Sequence, residues 1–242
     1  MFDIVVIVPH TDDESALCAG FILRALSKGA KVKVVFVTSG QNGRTLGLVT
    51  RKALPAARRK EAELAAAALG VSDVHFLNYP DFNPRSGRFS TWPGAKKKLL
   101  SFVPDISSRT IIVSFPPNGM NGHPDHVRCS VLANDVAKDR KAALLYVTNP
   151  TPSASLGMTS YAPEPSRQGL HLPPSHVMTL TLAEMRGKLL ALSGYRTQAI
   201  SILNFIRQEK GNISQEHFAL AEGTGQGVRT FLSRTLKLKS VR

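Results

Sequence analysis

Cysteine is nearly missing from this 242-residue chain: Cys18 and Cys129 are the only two. Two thiols make no disulfide framework, so the expectation is a reducing, cytoplasmic location with both thiols free. Long apolar runs are missing too. None reaches the ~20 residues of a membrane span. The N-terminus carries no basic segment ahead of its apolar stretch, so no signal peptide is expected. Aromatic residues are sparse, 7% of the chain with a single Trp, and they do not interleave with the basic residues as a nucleic-acid-binding surface would require. No internal repeat is visible. Acids are outnumbered: 17 Asp and Glu face 31 Lys and Arg, a net charge of +14. The basic residues are dispersed, at 58–60, 96–98, 138–141 and in the tail from Arg234. That pattern fits a solvated basic surface or an anionic small-molecule substrate better than nucleic acid.

What is present is an alternation of strand and helix signals. Short β-branched runs at Ile4–Val8, Val32–Thr38, Val74–Leu77, Thr110–Phe115 and Leu144–Thr148 read as buried parallel strands. Helical stretches lie between them: Ser15–Lys28, Pro55–Leu69, Lys96–Phe102 and Asp125–Lys138. Pro55 in a first turn and Gly70 just past an end mark the second of these. The expectation is a single-domain α/β fold, a Rossmann-like, mostly parallel sheet with helices on both faces. Residues 149–175, rich in Pro and Ser, read as an insertion or lid. A strand at His176–Leu180, a helix at Leu182–Ser193 and a helical pattern at Thr197–Gln208 follow. His217–Ala221 is ambiguous, and the basic tail 222–242 reads as mobile.

Two loops carry chemistry. The first strand runs straight into His10-Thr11-Asp12-Asp13-Glu14, and the fourth leads to Gly122-His123-Pro124-Asp125-His126. In a doubly wound sheet, strands one and four are neighbours at the switch point, where ligands bind at the carboxyl edge. His10, Asp13 and His126 can then converge. Two imidazoles and one carboxylate leave a coordination position open, as in catalytic zinc sites. Asp12 is placed to act as general base. His123 is left to stabilise an oxyanion or protonate a leaving amine, with Asp125 orienting it. Each part has a plainer reading: Asp12 or Asp13 as a helix N-cap, and His126 as an ordinary first-turn residue. Two such clusters, each following a predicted strand, are harder to explain as caps.

The strings His10–Glu14, Leu17–Phe21 and Gly122–His126 resemble the LmbE-like (PIG-L) zinc deacetylases, over roughly residues 3–200. That family removes acetyl groups from N-acetylglucosamine moieties. The resemblance implies His10, Asp13 and His126 as metal ligands and Asp12 as base. It implies His123 as electrophile or acid, with Asp125 as its partner. The metal would be zinc, with Fe(II) also compatible with these donors. Arg58 and Glu61 match an Arg-x-x-Glu helix whose Arg contacts sugar, and Asp81 matches an acid that binds sugar hydroxyls. The segments 39–47, 54–61 and 195–198 resemble the bacillithiol-type deacetylases, which act on N-acetylglucosaminyl-malate. Arg44 then becomes a candidate contact for an anionic substrate, and a homo-oligomer is expected.

The chain departs from the family at several positions. Thr11 replaces the usual Pro between His10 and Asp12, which leaves the loop less constrained. Gln41 replaces a frequent Glu, and Tyr195 a frequent His. No upstream Tyr is available to polarise a carbonyl, and Tyr195 is the candidate substitute. Phe82 and Trp92 either stack on a sugar or anchor their loop, with anchoring favoured for Trp92. Alternatives in substrate are a thiol-sugar conjugate amidase and an antibiotic-sugar deacetylase. The alternative in kind is a non-catalytic basic binding module with a structural metal.

Overall fold

The computed structural model describes residues 1–83, 91–151, 171–208 and 213–241. Parallel strands β1 (Asp3–Val8), β2 (Val32–Thr38), β3 (Asp73–Tyr79), β4 (Thr110–Ser114) and β5 (Ala143–Val147) form most of one sheet. Three more strands complete it: β6 (His176–Thr179), β7 (Gln215–Leu220) and β8 (Lys239–Ser240). The order is β3-β2-β1-β4-β5-β7-β6-β8. β7 is antiparallel to both β5 and β6, and β8 is antiparallel to β6. The expected Rossmann-like sheet is present, with a mixed edge that the apolar pattern did not announce.

The strand pattern dictates two cores. Ile4, Val6 and Val8 face one side of β1, and Val5 and Ile7 the other. The first side packs under α1 (Asp13–Ser27), α2 (Leu54–Leu69) and α6 (Leu182–Ser193). The second packs under α3 (Ala95–Phe102) and α5 (Pro124–Arg140). Cys18 lies in the first core and Cys129 in the second, both free.

Two expectations change. The tail 222–241 is packed, not loose: Val228, Phe231, Leu232, Leu236 and Leu238 are buried against the first core. Its Lys and Arg content masked an apolar set that covers α1, where Arg24 donates to the Leu236 carbonyl at 3.1 Å. The ambiguous segment around His217–Ala221 is β7, the strand that joins β5 to β6. Most of the expected insertion or lid at 149–175 lies outside the described residues.

The helix that carries the first chemical loop is not continuous: α1 is broken at Cys18 (φ −144°, ψ 23°). The N–H groups of Gly20 and Phe21 donate to the Glu216 carboxylate at 2.9 and 2.8 Å. Lys188 pairs with Glu216 at 2.9 Å, both side chains about 1% exposed. A buried carboxylate on β7 thus caps the restarted helix, and its charge is balanced locally.

Candidate active site

β1 and β4 lie side by side with their carboxyl ends at one edge. The Ser114 hydroxyl donates to the Ile7 carbonyl at 2.8 Å and ties the two ends together. The Thr38 hydroxyl and N–H donate to the Pro9 carbonyl at 2.8 and 2.9 Å, fixing the chain just before His10. The two predicted loops therefore meet.

His10 Nδ1 lies 3.5 Å from Asp13 Oδ2, and His126 Nε2 lies 3.8 Å from Asp13 Oδ1. One donor atom from each of the three falls within 4.8 Å of the others. The far nitrogens are engaged. His126 Nδ1 donates to the Gly119 carbonyl at 3.1 Å, and its ring stacks on Phe115 at 4.0 Å between centroids. His10 Nε2 lies 3.1 Å from Asp125 Oδ2. Those outer contacts leave His10 Nδ1 and His126 Nε2 turned toward Asp13, as carboxylates and carbonyls behind the histidines of zinc proteins do. The donor set fits a divalent ion of zinc or Fe(II) type. His10, His123 and Asp125 form a second group within the same limit, sharing His10.

With no ion bound, the groups perturb one another strongly. Burial would lower His10, but hydrogen bonds to Asp125 and Asp13 outweigh it and hold the imidazole up at about 10. Burial, with the His10 charge, lowers His126 to about 4. Burial would raise Asp13, but His126 and His10 keep it below the usual carboxylate range. Burial and then Asp13 push Asp12 up to about 7, suited to proton transfer near neutrality.

Asp12 stands at the N-cap of α1, yet its side chain makes no capping hydrogen bond. The helix-cap explanation fails there. Its backbone sits at φ 121°, ψ −29°, a region that costs a non-glycine residue ~1–3 kcal/mol and is found at functional sites. Neighbours on both sides hold it. Asp12 N–H donates to Glu14 Oε2 at 3.2 Å. On the other side Arg58 Nε donates to the Thr11 hydroxyl at 3.0 Å and Nη2 to the Thr11 carbonyl at 2.9 Å. Thr11 therefore does not loosen the loop: its hydroxyl is the handle by which a buried guanidinium grips it. Nη1 of Arg58 also reaches the Gly40 carbonyl at 3.2 Å. Gly40 needs to be glycine, with φ +64° and Arg58 where a Cβ would stand. Arg58 lines the cleft as well, so the side chain that clamps the loop also borders the space where a ligand would sit.

His123 caps α5. Its Nδ1 accepts the Asp125 backbone N–H at 3.1 Å, which leaves the proton of the neutral ring on Nε2. Burial, then His126 and His10, lower its pKa well below the ordinary histidine value. His123 is thus a neutral N–H donor, not an imidazolium. The Asp125 backbone N–H is one contact that holds the ring. The Asp125 carboxylate meets His10 and accepts Phe82 N–H at 2.7 Å.

Asp81 lines the cleft, accepts Asn42 N–H and side-chain amide donors at 3.1–3.2 Å, and is raised by burial. Arg44 is exposed and lines an adjoining chamber. Tyr195 is placed elsewhere. It is 1% exposed, lines neither chamber, and donates its hydroxyl to Glu14 Oε1 at 2.6 Å. Its bulk is spent in the core beneath the loop, where it braces the carboxylate that holds Asp12. Trp92 anchors its loop through Pro80 at 3.0 Å. Sequence reasoning passed over Asn42, Asn121, Gln198 and Ser201, which line the cleft. The signal for Gln198 was Arg196-Thr197-Gln198, held by Glu61 through Thr197 N–H and hydroxyl at 2.8 and 2.6 Å.

The family profile described as PIG-L: GlcNAc-PI de-N-acetylase matches residues 5–137, more than half of the chain. The chain belongs to this family. It is 32% identical over 126 residues to a probable N-acetyl-alpha-D-glucosaminyl L-malate deacetylase 2 of Bacillus anthracis, covering 51% of this chain and 54% of that protein. The chain thus spans about half the length of the malate-deacetylase relatives it matches. A 1D-myo-inositol 2-acetamido-2-deoxy-alpha-D-glucopyranoside deacetylase of Saccharomonospora viridis is 26% identical over 243 residues, 91% of this chain and 90% of that one. The N,N'-diacetylchitobiose deacetylase structure from Pyrococcus horikoshii superimposes with a TM-score of 0.64 at 24% identity, covering 91% and 84% of the two chains. That likeness supports the fold.

Proposed function

We propose that this PIG-L family member is a metal-dependent N-deacetylase of an N-acetylglucosamine-type substrate. The observation that carries this is one edge of the sheet bringing together His10, Asp13 and His126 beside an uncapped Asp12 on strained backbone. His10, Asp13 and His126 would hold the ion. When bound, a divalent ion supplies Lewis acidity toward the acetyl carbonyl and lowers the pKa of water. Asp12 takes the proton of the attacking water. His123 donates its Nε2–H to the oxygen that gathers negative charge, which needs no charge on the ring. Asp81 and Arg58 bind the sugar. An intact base beside the ligand set argues against a purely structural metal.

The malyl conjugate suggested by local resemblance would meet Arg44 as the single cation among the described lining of its chamber outside the reacting cluster. The reading also keeps the chain in a reducing compartment and self-associated, as light-scattering mass would reveal. Among the described residues no helix is long and apolar enough to cross a membrane. The test is metal analysis of the purified protein, then acetate release from N-acetylglucosamine conjugates with and without chelator. Asp12→Asn should keep the metal and lose at least about 100-fold in kcat. Full activity in that variant removes the base assignment.

A further inference from the structure

Two chambers meet at the reacting cluster, and their chemistry differs. The smaller, about 260 Å³, has His10, Arg58, Asp81, His123 and Asp125 to itself, with Phe82 beside them. The larger, about 510 Å³, is walled by Ala16 and Leu17 of α1, Met120 of the turn α4 (Gly119–Gly122), and Ile202 and Phe205 of α7 (Ala199–Gln208). Asp12, Asp13 and His126 line both, and so do Asn42, Gly43, Asn121, Gln198 and Ser201. A ligand reaching from one to the other passes the proposed ligands and base.

Sugar hydroxyls buried without partners lose free energy. The smaller chamber adds Arg58 and Asp81 to the shared amides, whereas most of what the larger adds is apolar, so the sugar belongs in the first. Ile202 and Phe205 are one helical turn apart and share a face. Phe205 is half-buried, and Leu17 and Met120 are partly exposed, so apolar surface is presented to the chamber. Outside the reacting cluster, the one charged residue among the described lining is Arg44, at an exposed position; Asn149 and Asn204 are neutral amides, and Asn42, Asn121, Gln198 and Ser201 lie on the side shared with the smaller chamber. A dicarboxylate would bring two charges against one solvated cation, whereas an apolar group meets a matching wall.

We infer that the larger chamber receives an apolar portion of the substrate, either the aglycone on the anomeric oxygen or the tail of the N-acyl group. This rests on the deacetylase reading and adds the substrate class. Leu17, Met120, Ile202 and Phe205 are then the residues that set specificity.

The test uses the metal-loaded full chain and two probe series. One is alkyl N-acetylglucosaminides from methyl to hexyl, in both anomers. The other is N-acyl glucosamines from acetyl to hexanoyl, with N-acetylglucosaminyl-malate as comparator. Released carboxylic acid is measured. One series should climb in kcat/KM about fourfold per methylene, the effect of burying one CH₂, and whichever climbs identifies the source of the apolar group. Phe205→Ala should flatten that climb through KM and leave the shortest probe within about twofold. Turnover with both series flat, or the malate conjugate preferred tenfold over the longest probes, overturns this inference and leaves the deacetylase reading standing. An equal loss on every probe in Phe205→Ala marks a structural residue and also overturns it. No acid from any probe ends both readings.

Discussion

Thr11→Val isolates the clamp on the catalytic loop. Val matches the size of Thr but removes the acceptor for Arg58 Nε, now at 3.0 Å. Both residues are buried, 3% and 4% exposed, so water does not replace the lost partner cheaply. An unsatisfied buried donor costs ~1–3 kcal/mol, toward the upper end when charged. The methyl that replaces the hydroxyl returns ~0.8 kcal/mol by burial. The net is a destabilisation of ~1.5–2 kcal/mol, or a fall in Tm of ~4–6 °C for a chain of this length. Activity should fall as well, with metal content unchanged. Asp12 is held in a costly conformation partly because its neighbour Thr11 is gripped at hydroxyl and carbonyl together. Relaxing it by ~1.4 kcal/mol would lower kcat about tenfold. Thr11→Ser keeps the hydroxyl and should behave like the parent. Differential scanning calorimetry and acetate release read the two effects. A Thr11→Val protein with parental Tm and kcat refutes the clamp.

Other perturbations test separate links. Asp125→Asn should weaken metal binding ~10–100-fold, because the carboxylate supports His10 from outside; a competition titration with a chromophoric chelator measures this, and unchanged affinity would return Asp125 to a role with His123 alone. Lys188→Met strands the Glu216 carboxylate with two backbone donors and should cost ~3 kcal/mol in urea denaturation; a loss below ~1 kcal/mol would mean that those N–H groups suffice. Burial raises the Glu184 carboxyl, but the Arg24 hydrogen bonds outweigh it and hold the group below its ordinary value. Its contribution is therefore complete above the unfolded value of ~4.3 and is lost as pH falls through the lower folded value. The stability gap between the parent and Glu184→Gln should close on acidification below about pH 4; a gap constant down to about pH 3 contradicts the linkage.

The parallel half of the fold was legible because unbroken β-branched runs alternate with helical stretches, and switch-point topology alone then predicts that the turns after β1 and β4 meet. The mixed edge was not. β7 carries Glu216 and His217 among its apolar residues, and Glu216 is explained only by a helix break at Cys18, nearly 200 positions away. The packed tail was hidden for a related reason: its apolar residues are correct in spacing but diluted by Lys and Arg. In the site, residue types and loop positions predicted which groups converge, whereas the contacts of each group depend on rotamers that the string does not encode. Tyr195 read as a carbonyl-polarising group until burial placed its hydroxyl on Glu14.

The protonation of His123 shows how far the geometry constrains the chemistry. Sequence alone left two roles open, an imidazolium that protonates an amine or a donor to an oxyanion. His10 and His126 both lie within 4.8 Å of its ring, so a proton on His123 would face like charge from any neighbour that carries one, and a divalent ion between His10 and His126 would add to that. Its Nδ1 is occupied as an acceptor by a backbone N–H that is also part of the α5 terminus, whose positive end opposes protonation once more. Three independent effects thus favour the neutral ring with hydrogen on Nε2. On the proposed reading, the amine's proton would then come from the acid that has just received one, Asp12.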